Sequence, residues 1–191
     1  MPPTPNTQRV GEGFDDVLAA AQAGAEWAVA VLYRSLQPRL LRFLRAQVPA
    51  HDAEDIAAQT WLEVARGLPR FSGDEDGFGA FVFTVARRRL TDHRRAARRR
   101  PLELVGDESL AAVAGGGDPE DETMIRMGSE EAARRLAELL PADQAEVVLL
   151  RVVAGLSVDQ VAELVGRKPG TVRVLQHRAL RRLARQLGDE V

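Results

Sequence analysis

The sequence predicts an all-α protein: two small helical domains joined by a flexible acidic linker, the C-terminal one containing a helix-turn-helix. Three observations predict it. Apolar residues recur three and four apart along most of the chain, and no stretch alternates with the two-residue period of a strand. Alanine, leucine, valine and arginine dominate while aromatics make up only 5%, which favours helix over sheet. One run, 102–121, has no sustained period, contains Gly115-Gly116-Gly117 and is acidic, as an interdomain linker would be.

Residues 1–12 are polar and contain proline and glycine, and read as a disordered tail. The first domain follows, over 13–100. Its first helix, Phe14–Ala23, has Asp15 and Asp16 near its positive end and is broken by Gly24. In Ala25–Val48, Trp27, Val31, Leu32, Leu36, Leu40, Leu41, Leu44 and Val48 recur at helical spacing. Pro38 is expected to kink this helix and Pro49 to end it. Asp52 is placed to cap the next helix, Ala53–Leu68. Ala57, Trp61, Val64, Ala65 and Leu68 fall on one side of it, Asp55, Gln59, Glu63 and Arg66 on another. That second side is polar, regular and available to a partner. Residues 69–77 form a loop by composition. Gly79–Arg99 is a long helix, with Phe78, Phe81, Val82, Val85, Ala86 and Leu90 as its apolar face. From Arg87 onward arginines extend round it, as a surface lying on nucleic-acid backbone would require. Phe71, Phe78 and Phe83 lie near this basic run; Phe78 and Phe81 are assigned to the core, and Phe83 stays open as a receptor for an unstacked base.

The linker spans 101–122. Its 22 residues reach roughly 75 Å when extended, about two turns of duplex at roughly 34 Å each. The second domain, 123–187, opens with a helix over Thr123–Leu140, with Ile125, Leu136, Leu139 and Leu140 apolar. Pro141 restarts the chain, and Ala145–Val153 is apolar on most sides, as the centre of a domain should be. Then come two short helices and a tight turn. Ser157 can cap the first, which carries Val158, Val161, Ala162 and Val165 on one face. Gly166 ends it, because glycine accepts the left-handed backbone of a sharp turn. Lys168-Pro169 opens the second, with Thr171 an alternative cap; Val172, Leu175, Ala179 and Leu183 are its stripe. Small Ala162 permits close approach of the two helices. The spacing is that of a helix-turn-helix over 158–177, whose second helix lies in a DNA major groove. Arg167, Lys168, Thr171, Arg173, Gln176, His177, Arg178 and Arg181 face outward. Arginine and glutamine can pair bidentately with guanine and adenine edges, and lysine can hold phosphate.

The formal net charge is −2, but it is unevenly distributed. Arg87, Arg88, Arg89, Arg94, Arg95, Arg98, Arg99 and Arg100 crowd one segment; Glu103, Asp107, Glu108, Asp118, Glu120, Asp121 and Glu122 crowd the next. Such blocks signal a polyanion-binding surface beside an acidic segment. With no cysteine there is no disulfide framework or thiolate metal site. No metal and no cofactor are expected. No apolar run reaches membrane-spanning length and the N-terminus lacks a signal peptide's apolar core, so the expectation is a soluble, cytoplasmic protein with no membrane insertion. A metal-dependent nuclease would need His51, Asp52, Glu54, Asp55, Asp74, Glu75 and Asp76 to gather round Mg²⁺. Asp52 as a cap and 74–76 as a polar loop explain those residues without it.

Three blocks resemble a family: AEDIAAQTWLEVARGLPRF, then FGAFVFTVARRRLTDHRRAARRR, then LPADQAEVVLLRVVAGLSVDQVAELVGRKPGTVRVLQHRALRRL. In that order, with a variable acidic linker between, they resemble a bacterial RNA polymerase sigma factor of the extracytoplasmic-function group, over about 26–100 and 123–187. The resemblance implies core RNA polymerase as partner, through the β′ clamp helices and the β subunit, and promoter DNA as ligand. It implies that Glu54, Asp55, Gln59 and Glu63 contact polymerase, with Ile56 and Trp61 supporting packing. It implies that Phe71, Phe83, Arg87, Arg88, Arg94 and Arg95 serve recognition and melting of the −10 element. The helix Lys168–Arg182 would read the −35 element through Lys168, Thr171, Arg173, Gln176, His177, Arg178 and Arg181. An anti-sigma protein is a further partner the resemblance brings into view. Two positions depart from the family pattern: Phe81 stands where tryptophan is common, and Arg88 where an asparagine implicated in single-strand contact is common. No phosphate-binding GxxxxGKS or GxxxxGKT occurs, so no nucleotide hydrolysis and no enzymatic activity are expected. The alternative is a stand-alone helix-turn-helix regulator, which leaves Ala53–Leu68 and the arginine helix without a task. Footprinting separates the two: strong, specific protection by the protein alone marks the regulator, and protection that requires polymerase marks the sigma factor.

Overall fold

The structure, a computed structural model, describes residues 9–99 and 120–188. Apolar side chains three and four apart bury themselves along eight α-helices, and no strand occurs among the described residues. The N-terminal half contains α1 (Phe14–Gln22), α2 (Glu26–Arg45), α3 (Ala50–Gly67) and α4 (Glu75–Arg99). The C-terminal half contains α5 (Glu120–Leu139), α6 (Ala142–Val152), α7 (Val158–Val165) and α8 (Pro169–Gly188).

The N-terminal core forms where α2, α3 and α4 meet. Phe43, Phe78, Phe83, Leu40, Leu44 and Leu90 are its largest fully buried side chains. Phe43 and Phe83 meet edge to face at 5.5 Å, the arrangement the ring quadrupole favours. In the C-terminal half, Val147, Val148, Leu149 and Leu150 are all buried, so α6 is enclosed on most sides as its sequence predicts. Between α7 and α8 the predicted geometry is present. Ser157 Oγ accepts from Gln160 N–H at 3.1 Å while Gln160 Oε1 accepts from Ser157 N–H at 2.8 Å, a reciprocal capping box. Gly166 has φ +67°, and N–H groups of Gly166 and Arg167 close onto the carbonyls of Glu163 and Ala162. Val172, Leu175, Ala179 and Leu183 are all buried.

Several boundaries differ from the sequence expectation, each for a local reason. Asp74 belongs to a helix start rather than a loop, since its Oδ1 accepts from Gly77 N–H at 2.8 Å, so α4 begins at Glu75, four residues early. α3 likewise begins at Ala50, straight after Pro49, which leaves Asp52 inside the first turn rather than capping it. The Asp52 carboxylate instead lies 3.3 Å from His51 and 3.6 Å from His93. Residues 9–12, expected in the tail, are tied down. Glu75 accepts from Val10 and Gly11 N–H at 2.7 and 3.1 Å, and Arg9 reaches Asp76 at 2.6 Å. Trp27 is not a core residue: it is 58% exposed. Ala65 is exposed as well. The expected linker lies outside the described residues, apart from 120–122, which form the first turn of α5.

The two halves are docked, and buried apolar side chains run continuously from one into the other. α2 touches α5 and α4 touches α7. Polar groups clip the seam: Arg45 reaches Glu130 at 3.1 Å, Gln160 Nε2 donates to Asp76 O at 3.1 Å, and Arg39 donates to Ala154 O. Burial lowers the Arg39 guanidinium below its ordinary pKa, with repulsion from Arg9 adding to it and Glu75 and Asp76 opposing. Gly155 makes this contact possible twice over. Its φ is +70°, and a Cβ there would stand 2.7 Å from Arg39 Nη2. Gly155→Ala should therefore lower stability by about 1–2 kcal/mol in urea unfolding. In an Arg39→Ala background the cost should shrink, leaving only the backbone strain.

Candidate functional site

Two surfaces meet the requirements of a partner-binding site, one on each half. On α3, Asp55, Gln59, Leu62 and Arg66 follow one another at four, three and four residues, and all are exposed. Ile56, Thr60 and Val64 bury the opposite face. Leu62, 60% exposed at the middle of this polar stripe, is an apolar side chain that polar patterning alone missed. The surface continues onto α2, where exposed Tyr33 leans on Trp61 with rings 5.0 Å apart. Trp61 itself is half-buried, fixed by its indole N–H to Gln37 Oε1 at 2.6 Å, and Ile56 is buried, so both support packing. Glu54 remains exposed and pairs with Arg45 at 2.9 Å. Glu63 does not belong to the outward stripe. Its carboxylate faces α4, where it accepts from Arg89 at 2.7 and 3.0 Å and pairs with Arg88.

The arginine helix is held at its root and open at its tip. Arg87 forms a fork with Glu146 of α6 at 2.8 and 3.3 Å, while Arg88 and Arg89 share Glu63. Beyond Leu90 nothing on α4 is buried; Arg94 reaches Gln47 at 3.2 Å, and Arg95 stands exposed, 4.0 Å from Asp92. Arg87, Arg94 and Arg98 share one line along the helix, and Arg88 and Arg95 the next.

Of the two aromatic candidates, only one is accessible. Phe83 is 0% exposed against Phe43 and is a core residue, so it is unavailable to a base; its place in the α4 periodicity beside Val82 and Ala86 carries that signal. Phe71 is half-buried, stacked on half-buried Phe81 at 5.6 Å and edge-on to Phe78 at 5.4 Å. The loop carrying it is positioned by Gln22, whose Nε2 donates to Leu68 O and Phe71 O at 3.0 and 2.8 Å. No sequence pattern marked Gln22. Gly67 makes room for the stack, since a Cβ there would stand 2.8 Å from Phe81.

The second surface is α8. Arg173, His177, Arg178 and Arg181 are exposed, as are Arg167 and Lys168 in the turn before it, whereas Thr171 and Gln176 are half-buried at its flanks. The carboxylates of the hypothetical nuclease do not gather. Glu75 and Asp76 serve Arg9 and the backbone, Asp74 serves Gly77, and no metal-holding group of three occurs among the described residues. Nor is any helix among them long and apolar enough to cross a membrane.

Comparison with known proteins assigns both halves. Residues 32–100 match the Sigma-70 region 2 family and residues 130–183 match the Sigma-70, region 4 family. The chain is 37% identical over 188 residues to the ECF RNA polymerase sigma factor SigD of Mycobacterium tuberculosis, covering 94% of this chain and 86% of that one. The chain belongs to the ECF RNA polymerase sigma factors. ShbA of Streptomyces griseus is 34% identical over 160 residues, covering 80% of this sigma factor and 83% of ShbA. A solved structure of CnrH in complex with the cytosolic domain of CnrY shares the fold, with TM-score 0.64 and 20% identity over 94% of this chain and all of that one. This sigma factor thus works with core RNA polymerase and promoter DNA, and the two surfaces are where those partners can be sought. Because Glu146 occupies Arg87, Glu146→Gln should raise the free protein's affinity for single-stranded DNA about threefold at low salt, the scale of a partly exposed ion pair. Fluorescence anisotropy across a salt series checks it, and the gain should fade as salt rises.

Proposed function

We propose that the three promoter tasks divide among α3, α4 and α8. The outward stripe of α3, with Asp55, Gln59 and Leu62 at its centre and Glu54 at its edge, binds polymerase, the segment the family resemblance assigns to the β′ clamp helices. Phe71 and the arginines Arg87, Arg88, Arg94 and Arg95 serve the −10 element. α8 reads the −35 element, with Arg173, His177, Arg178 and Arg181 toward the groove, Lys168 toward phosphate, and Thr171 and Gln176 at the margins. The observation that carries this reading is the pair of exposed stripes: one mixed polar and apolar on the first half, one cationic on the second. The first suits a protein surface, the second a polyanion.

Opening a duplex costs about 1.4 kcal/mol of stacking per step. A chain that acts by binding alone meets that cost by holding the displaced strand better than the duplex. On the promoter, Arg87 exchanges Glu146 for phosphate, one ion pair for another, so the exchange itself costs little. Arg88 stands where the family commonly has asparagine and is engaged by Glu63, so it acts on strand phosphate rather than as a base reader. The protein works in the cytoplasm, catalyses no reaction itself and is open to capture by an anti-sigma protein, the further partner the family resemblance implies. Substituting Asp55, Gln59 and Leu62 together should weaken binding to core polymerase about tenfold or more. Arg173→Ala should leave that binding intact and reduce transcription from promoters that depend on the upstream element, with Gln176→Ala the milder of the two. Polymerase pulldown and run-off transcription, read side by side, check the division; equal loss of both activities in one variant marks misfolding.

A further inference from the structure

One line along α8 is built differently from the cationic face around it. Gly170, Val174, His177 and Arg181 follow at four, three and four residues and lie on the side opposite Val172, Leu175, Ala179 and Leu183. Val174 is 48% exposed and belongs to neither apolar cluster of the fold. A β-branched residue there leaves about half its surface in water and is a weaker helix former than the arginines beside it. Arg173, His177 and Arg178 surround it, all exposed.

Gly170 is equally unexplained from within the chain. It lies in the helix, it has no positive φ, and a Cβ added to it would meet nothing within 4 Å. Alanine would be the better helix former at that position, so no internal contact asks for glycine. A missing side chain on the outward line lets the helix backbone approach something outside. The cations beside it fix the charge of that object as negative.

We propose that Gly170 and Val174 form a thymine-reading element of the −35 interaction. Gly170 lets the first turn of α8 sit deep in the major groove, and Val174 packs on the C5-methyl of one thymine. The methyl is the most prominent apolar feature of the groove floor, so an exposed valine among Arg173, His177 and Arg178 matches it best. The proposal rests on α8 reading the upstream element, as above, and makes Val174 a specificity-determining residue rather than a source of general affinity.

The test uses the full chain with core polymerase. A duplex library randomised across the upstream element is selected for binding, and each enriched thymine is then replaced by deoxyuridine, which removes only the methyl. One such replacement should weaken binding about fourfold, the worth of one buried methyl, and in Val174→Ala the same replacement should change binding by less than about 1.5-fold. Gly170→Ala should weaken binding of the selected duplex at least about fivefold while its melting temperature stays level or rises by about 2 °C. That combination is not produced by damage to the fold. Equal uracil sensitivity in wild type and Val174→Ala, or unaltered binding by Gly170→Ala, would overturn the proposal. If a sequence is enriched and Arg173→Ala loses it while no thymine methyl matters, only the thymine-reading element falls. If no upstream sequence is enriched at all, the assignment of α8 to the −35 element falls with it.

Discussion

Seven arginines between Arg87 and Arg99 on a single helix repel one another, and the fold has to hold them apart from collapse and ready for a polyanion. Two carboxylates do this. Glu63 of α3 takes Arg88 and Arg89, and Glu146 of α6 takes Arg87. The first pairing ties the arginine helix to the helix that carries the exposed stripe from Asp55 to Arg66. The second ties it to the half that carries the helix-turn-helix. The exposed arginines past Leu90 then project as a group, with Arg94 touching Gln47 and Arg95 near Asp92. The two pairings decide which of the α4 cations are already engaged, while the buried face from Phe78 to Leu90 orients the helix.

The same logic shapes the seam between the halves. Ion pairs at Arg45–Glu130 and Arg87–Glu146 are partly exposed and individually weak. Arg39 is different: it is partly buried, desolvated and set against the Ala154 carbonyl in a space that only glycine at 155 leaves open. Apolar packing across the seam adds a force that salt does not screen. The docked chain presents α8 and the α3 stripe outward while engaging the root of the arginine helix. The two exposed stripes are thus accessible in the docked chain, and the arginine surface is the one that the protein's own carboxylates already engage.

Much of this was legible in the sequence because local chemistry decided it. Ser157, Gly166 and the stripe from Val172 to Leu183 carry their own instructions, and the helix-turn-helix follows them closely. The centre of α6 was likewise readable from its run of buried aliphatics. What escaped depended on neighbours distant in sequence. Asp74 looks like loop until its carboxylate is seen on Gly77 N–H. Glu63 shares the polar spacing of Asp55 and Gln59, and only the position of α4 turns it inward. Phe83 could be a base receptor or core until Phe43 is found against it. Residues 9–12 are polar, yet Glu75 captures their backbone. Leu62 and Val174 were missed for the opposite reason: apolar residues are read as core by default, and their exposure shows only in the fold.

The most direct test of the division between α3 and α8 replaces Leu62 in one sample of the chain, and Val174 in another, with a photoreactive amino acid. Each is irradiated in complex with core polymerase and promoter DNA. On that division, position 62 should join to polymerase and not to DNA, while position 174 should join to duplex about three turns upstream of the start site, the spacing set by the −35 element. Crosslinks from 62 to DNA, or from 174 to polymerase with none to the upstream duplex, would contradict it.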